Sequence, residues 1–199
     1  MKILLVGATG TVGSAVRDGL TARGHDVIAA HRSSPEWPVD LADPAQIERL
    51  LDKAGTVDAI ACTAGTTPFG PWDGLDRDAW RAGLDSKLLG QVELVRRGTA
   101  HVREGGSFTL ITGVLAREPI RGGAIAAAVN GALEAWVRAS ALELQGRFRI
   151  NAVSPTVLTE SLDVYDESFP GFPTVPAADV ARAYARSIES FETGRVYLL

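Results

Sequence analysis

The sequence predicts an α/β fold in which a doubly wound parallel sheet of about seven strands carries helices on both faces. Two observations lead to this prediction. A strand, a glycine-rich turn, a helix and a second strand follow one another at the start of the chain. Further along, short apolar runs alternate with longer helical runs up to the C-terminus, which is typical of parallel sheets. At 199 residues the chain is expected to form one domain, residues 1–199.

The opening segment predicts a dinucleotide site. Ile3 to Val6 is apolar and suits a buried strand, and a helical run extends from about Thr11 to Arg23. Between them, a G-x-x-G-x-x-G spacing lets the backbone turn tightly and approach a pyrophosphate at the helix N-terminus. A plainer explanation is that the turn only packs the helix on the strand. The residues predicted to bind the cofactor here are Gly7, Thr9, Gly10, Thr11, Val12 and Gly13.

The residues after the second strand predict the form of the cofactor. This strand, Asp26 to Ala30, is followed by His31, Arg32 and Ser33. No carboxylate therefore stands where an NAD-binding protein usually bonds the ribose 2′-hydroxyl. The guanidinium of Arg32 suits a 2′-phosphate. We expect NADP(H) as the cofactor, with Arg32 and Ser33 among its ligands.

The remaining elements follow in a regular order. Asp43 is predicted to cap a helix that has Pro44 at its first position and runs to about Ala54. The pattern predicts further strands at Val57 to Ala61, Ser107 to Thr112, Arg147 to Val153 and Arg195 to Leu199, and further helices at about Leu75 to Ala82, Leu84 to Val102, Gly123 to Leu144 and Ala177 to Ser190. The helix from Gly123 is apolar on more than one face, so we expect it to be buried on two sides.

Composition excludes several classes of partner. The net charge is −4 and no basic block occurs, so neither nucleic acid nor a membrane surface is expected to bind.

The one cysteine, Cys62, cannot form an internal disulfide, which fits a reducing cytoplasm. The N-terminal apolar run leads straight into the glycine turn and does not resemble a signal peptide. The three histidines lack metal-ligand spacing, so no metal is expected.

Several stretches together resemble the short-chain dehydrogenase/reductase family, whose fold is of the Rossmann type. They are the glycine turn, DLAD at Asp40 to Asp43, CTAG at Cys62 to Gly65, and RINAVSPT at Arg149 to Thr156. The resemblance covers nearly the whole chain. It implies further cofactor-binding residues: Asp40 near the adenine, Thr63, Ala64 and Gly65 in a turn beside the cofactor, and Pro155 and Thr156 at the nicotinamide.

The family's catalytic tetrad of Asn, Ser, Tyr and Lys is absent. None of the three tyrosines is followed by lysine at the fourth residue. Counting back from ALEL, which ends the long helix, places Ala126 at the tyrosine position and Asn130 at the lysine position. The serine position falls at Gly113 and the asparagine position at Lys87. The resemblance thus supports cofactor binding but not the family's usual carbonyl reduction.

Three residues are the candidates for the remaining chemistry. Lys87, if partly desolvated, would have a lowered pKa and could donate a proton or hold the ribose; the alternative is an exposed helix lysine. Thr112 ends a strand on the ligand-binding side, where its hydroxyl could orient a carbonyl. Asn130 lies one helical turn from Ala126 on the same face, although it could simply bond to backbone.

Two further groups of residues could contribute to a substrate site. Arg117 and Arg121 flank Pro119 in the loop before the long helix, and they either bind an acidic substrate or are solvated. Four aromatic residues lie in Pro/Gly loops, where they either line a pocket or pack in the core: Phe69, Trp72, Phe169 and Phe172.

Two functions remain open from the sequence. The first is an NADP(H)-dependent oxidoreductase that acts on a small carbonyl or alcohol with non-standard catalytic residues. The second is a non-redox protein of the same fold, either a cofactor-binding sensor or scaffold, or an isomerase or cyclase. The apolar helices at about 84–102 and 123–144 also predict a homodimer or homotetramer, since related proteins pair these helices across a two-fold axis.

Overall fold

A computed structural model describes all 199 residues. The strands are β1 (Lys2–Val6), β2 (Asp26–Ala30), β3 (Val57–Cys62), β4 (Val102–Ile111), β5 (Arg149–Ser154), β6 (Val157–Leu158), β7 (Thr174–Val175) and β8 (Val196–Leu198). Six of them form one parallel sheet in the order β2-β1-β3-β4-β5-β8, and β6 pairs with β7 in a small separate sheet. The predicted fold class is confirmed, with six strands in the main sheet where about seven were expected.

Helices cover both faces of the sheet. They are α1 (Thr11–Ala22), α2 (Pro44–Ala54), α3 (Arg77–Gly83), a π-helix (Leu84–Leu89), α4 (Gly90–Gly98), α5 (Ala124–Glu143), α6 (Leu162–Tyr165) and α7 (Ala177–Glu189). On one face α1 and α7 pack side by side through Val16, Leu20 and Tyr184. On the other face α2, α4 and α5 contribute Ile47, Leu94 and Leu133 to a second core. Every strand in the middle of the sheet is therefore covered on both sides.

The segment predicted as one helix from Leu84 to Val102 is divided into three parts. The chain forms the π-helix, then α4, and then enters β4 at Val102, which pairs with Val57 of β3. The register between β3 and β4 shifts between Val57 and Ala59, so that Ala59 pairs with Ser107. The glycine pair at Gly105 and Gly106 thus lies inside an irregular strand and does not separate a helix from a strand.

The strand order reverses beside β1, which has β2 on one side and β3 on the other. In open parallel sheets, ligands bind outside the carboxyl ends of the strands at such a reversal. The glycine turn after β1, the CTAG turn after β3 and the ends of β4 and β5 all lie at this edge. No helix has the length and apolar character needed to cross a membrane.

Candidate functional site

Two adjoining cavities lie at the carboxyl edge of the sheet. The first, here called the Arg32 cavity, has a volume of about 270 Å³ and lies between the glycine turn, the end of β2 and the CTAG turn. The second, the Lys87 cavity, has a volume of about 370 Å³ and lies over the ends of β4 and β5, beside α5. Gly65 and Thr66 line both, so the two cavities meet at the CTAG turn.

The glycine turn leaves the N-terminus of α1 open to a ligand. Gly7 has a φ of +93°, and a Cβ atom there would lie 2.7 Å from the backbone nitrogen of Ala64. No side chain caps α1, and the N–H groups of Thr11, Val12 and Gly13 donate no hydrogen bond within the chain. Free N–H groups at a helix N-terminus attract anions, and the cradle therefore fits a pyrophosphate.

Arg32 lies at the mouth of its cavity and pairs with Asp40. Its Nε is 3.2 Å from Oδ2 of Asp40, and its side chain is 71% exposed. Asp40 also accepts a hydrogen bond from the backbone N–H of Ala42. A carboxylate is thus present near the predicted 2′-phosphate site, but it comes from the loop after β2 and its charge is offset by Arg32.

Lys87 projects from the π-helix into the second cavity. Its stem packs against Gly65, where an added Cβ would lie 2.9 Å from Cγ of Lys87. Its Nζ has no hydrogen-bond acceptor and no ion-pair partner in the structure, and the residue is only partly exposed. Burial lowers the pKa of Lys87 to about 8, against a weak opposing effect of Cys62. π-Helices are rare and are frequent at functional sites.

Ala126 and Asn130 of α5 form one wall of the Lys87 cavity. Asn130 is only 3% exposed, and its Oδ1 has no hydrogen-bond partner. The alternative role for Asn130, a bond from its side chain to backbone, is not seen for this oxygen. A buried amide oxygen without a partner is costly, and it suits a ligand that donates a hydrogen bond. The side chain of Ala126 has no polar atom.

A buried carboxylate organises the ends of β4 and β5. Oε1 of Glu134 accepts hydrogen bonds from Ser154 Oγ at 2.8 Å, Arg117 at 2.9 Å and Thr112 Oγ1 at 3.2 Å. Thr112 lines the Lys87 cavity, but its hydroxyl proton is directed to Glu134 and to the Val153 carbonyl. Arg117 is therefore a structural partner of Glu134, and it lines neither cavity.

The predicted residues divide into three groups. Those that line the Arg32 cavity are Gly7, Thr9, Gly10, Arg32, Asp40, Thr63, Ala64 and Gly65. Those that line the Lys87 cavity are Gly65, Lys87, Thr112, Asn130, Pro155 and Thr156. Those that line neither are Thr11, Val12, Gly13 and Ser33. The first three of these still present their backbone N–H groups at the start of α1, whereas the Ser33 hydroxyl contacts His31.

Sequence reasoning missed several lining residues. Two of them could have been predicted from their neighbours, because Ser86 precedes Lys87 and Thr66 follows the CTAG turn. The backbone N–H of Thr66 donates to Oγ of Ser86 at 3.3 Å. Tyr165, by contrast, lies on α6, and nothing in its local sequence points to the site. Of the loop aromatics, Phe69 and Phe169 line the Lys87 cavity, while Trp72 is 79% exposed.

Known proteins resemble this chain over nearly its whole length. Residues 8–198 match the family model adh_short_C2, described as "Enoyl-(Acyl carrier protein) reductase". The chain is 28% identical to "Putative oxidoreductase Rv1856c" of Mycobacterium tuberculosis, over 92% of this chain and 87% of that protein. It is 42% identical to the crystal structure of the protein lin1944 from Listeria innocua, with a TM-score of 0.97 and coverage of 100% and 99%. A small-chain dehydrogenase in complex with NADPH is 26% identical, with a TM-score of 0.89 and coverage of 100% and 96%. The chain therefore belongs to the short-chain dehydrogenase/reductase family.

Proposed function

We propose that this protein is an NADP(H)-dependent oxidoreductase that reduces a carbonyl compound with Lys87 as the proton donor. The observation that carries the proposal is the Lys87 ammonium, which lies without a partner in the cavity beside the CTAG turn. Its pKa of about 8 allows it to hold a proton at neutral pH and still release it to a nearby oxygen.

The chain offers contacts for three parts of the cofactor. The open N-terminus of α1 would hold the pyrophosphate, and Arg32 would hold the 2′-phosphate. Oδ1 of Asn130 would accept a hydrogen bond from the nicotinamide half. When bound, NADPH supplies a hydride to the substrate. The side chains of the Lys87 cavity would position the substrate carbonyl, and Nζ of Lys87 would donate a proton to the carbonyl oxygen.

A non-redox role is the second candidate, because the wall formed by Ala126 and Asn130 lacks a phenol. Introducing Ala126→Tyr together with Asn130→Lys should distinguish the two. If the protein is a reductase that uses Lys87, the unchanged chain oxidises NADPH with part of an aldehyde and ketone panel. If it binds NADPH in calorimetry but turns over nothing, while the double variant gains activity, the non-redox role is correct.

NADPH should bind more tightly than NADH, and Arg32→Ala should remove most of the difference. A guanidinium–phosphate contact that is lost on substitution is worth about 10- to 100-fold in affinity. Isothermal calorimetry with both cofactors measures this. Arg49→Ala, on the exposed side of α2, is the matched control and should leave the preference intact. Equal affinities of the unchanged protein for NADPH and NADH would contradict the assignment of Arg32.

We also propose that α5 mediates a homodimer. Support comes from five apolar residues of its outer face that are exposed in the single chain, beside the exposed Arg138 and Glu143: Ala128, Ala132, Ala135, Ala139 and Leu142. Leu142 is 76% exposed, and Leu89 of the π-helix is 49% exposed. The expected burial of this helix on two sides would therefore require a second copy.

A charge on this face should separate the copies. Light scattering at micromolar concentration should give at least twice the chain mass of 21.0 kDa for the unchanged protein. Ala135→Glu should shift the particle to the single-chain mass, since it would bury an unpaired carboxylate. Ala178→Glu, the same change on the exposed side of α7, should have no effect. A single-chain mass for the unchanged protein would rule the dimer out.

A further inference from the structure

A third concave surface continues from the Lys87 cavity. This Trp72 groove has a volume of about 870 Å³ and is lined by the loop after β3 and the loop before α5, with Ser168 at one side. The N–H of Gly70 donates to the carbonyl of Gly122 at 3.0 Å, which ties the two loops together. Phe69 lines both the groove and the Lys87 cavity, so the two spaces adjoin at this side chain.

Size indicates that the groove serves the same ligand as the cavity. At about 370 Å³, the Lys87 cavity is at the small end of the range for ligand pockets, which is about 300 to 1,000 Å³. In the proposed function it must hold the nicotinamide ring and the reacting end of the substrate together. Anything larger than a small carbonyl compound must extend past Phe69 into the groove.

The lining of the groove indicates an apolar chain. Trp72 is 79% exposed and Phe69 is 51% exposed, and Pro119 and Ile120 lie opposite in the second loop. Exposed aromatic side chains that are grouped along a concave surface indicate a binding site. No carboxylate lines this groove.

The charged residues that line the two spaces indicate that the ligand carries an anionic group at its end in the groove. Only two charged residues line the connected spaces, Lys87 in the cavity and Arg121 in the groove, and both are cations. Arg121 is exposed and forms no ion pair or hydrogen bond within the chain, unlike the neighbouring Arg117. The whole chain has a net charge of −4, so two cations without a lining carboxylate distinguish these spaces from the protein as a whole.

We propose that the substrate is an amphipathic carboxylate with an oxo group at its far end. The carbonyl would lie at Lys87, the apolar chain would pass Phe69 and Trp72, and the carboxylate would pair with Arg121. In the reduction, the carbonyl carbon takes the hydride and its oxygen takes a proton from Lys87, so the products are a hydroxy acid and NADP⁺. This inference rests on the proposed function for the location of the carbonyl.

Binding measurements test this substrate class separately from turnover. The probes are an eight-carbon carboxylate that ends in an aldehyde, its neutral primary amide, and the four-carbon carboxylate of the same type. With NADP⁺ present, calorimetry should show that the eight-carbon acid binds at least about tenfold more tightly than its amide. Arg121→Gln should abolish that difference, and Trp72→Ala should weaken the eight-carbon acid more than the four-carbon acid. Arg77→Gln, an exposed unpaired arginine at the start of α3, is the matched control.

The outcomes separate this inference from the proposed function. Equal affinity for the acid and its amide, or the same small effect of Arg121→Gln and Arg77→Gln, would overturn the substrate class. Reduction of simple aldehydes with NADPH could still occur in that case. Selective, Arg121-dependent binding of the acid supports the substrate class, and it does so even if no NADPH is consumed, a result that would count against the reductase alone.

Discussion

Lys87→Met should lower kcat/KM for NADPH-dependent carbonyl reduction by about 10²- to 10⁴-fold. This is the usual contribution of a positioned proton donor, and methionine keeps the length and apolar character of the stem while removing the ammonium. NADPH affinity should change much less than turnover. Lys2→Met is the matched control: Lys2 begins β1 at the opposite edge of the sheet, where its Nζ donates to the Ala54 carbonyl.

The pH profile provides an independent check on the same residue. Only the protonated amine can donate, so kcat/KM of the unchanged protein should fall as the pH rises through about 8, the pKa of Lys87. The decrease should be tenfold per pH unit above that value. A profile that stays level to pH 10, or Lys87→Met activity equal to that of Lys2→Met, would contradict the role of Lys87 as donor.

The same substitution should also stabilise the protein at neutral pH. The folded state holds a desolvated ammonium whose pKa is lowered from 10.5 to about 8, and methionine removes that cost, on the order of 1 to 3 kcal/mol. Between these two pH values the unfolded chain binds a proton that the folded chain has released. Stability of the unchanged protein should therefore rise across this window, and the advantage of Lys87→Met should disappear above it. Thermal unfolding at several pH values measures the difference.

Glu134→Leu should destabilise the fold by about 3 kcal/mol, the second large effect that we expect. The substitution leaves Arg117, Thr112 and Ser154 without their shared acceptor in a buried region. Removing one partner of a buried ion pair costs about 3 to 5 kcal/mol, and the partial exposure of Arg117 places this case at the lower end. Glu134→Gln retains an oxygen acceptor and should cost about half as much.

Urea unfolding with linear extrapolation measures these losses. Glu143→Leu is the control, because Glu143 lies on the same helix, is exposed and forms no ion pair. A loss for Glu134→Leu no greater than for Glu143→Leu would show that the buried carboxylate is not needed. A loss of the size expected would explain how the chain keeps Thr112 and the segment after β5 in place at the edge of the site.

Local patterns in the sequence predicted most of the fold. Short runs of four to seven mostly apolar residues predicted all six strands of the main sheet, because the middle of a strand that is covered on both faces is apolar. Asp43 was predicted to cap α2, and its carboxylate does accept from the Ala45 N–H at 2.9 Å. The prediction of one helix from Leu84 to Val102 was right for the helical residues 84–98 but missed the π-helix and the start of β4, because neither has a distinct periodicity of its own.

What the sequence alone determined is the scaffold and one half of the candidate site. The glycine spacing lies within a single βαβ unit, so local geometry is enough to predict an open N-terminus on α1. The tertiary structure decided the other half, since Lys87, Asn130 and Tyr165 come from three separate elements that meet only when the sheet is formed. The tertiary structure also decided which of the polar side chains have hydrogen-bond or ion-pair partners. Lys87 and Asn130 lack partners and Arg117 has one because of residues that lie far from them in the sequence. Burial then sets the free-energy cost of each polar group that has no partner.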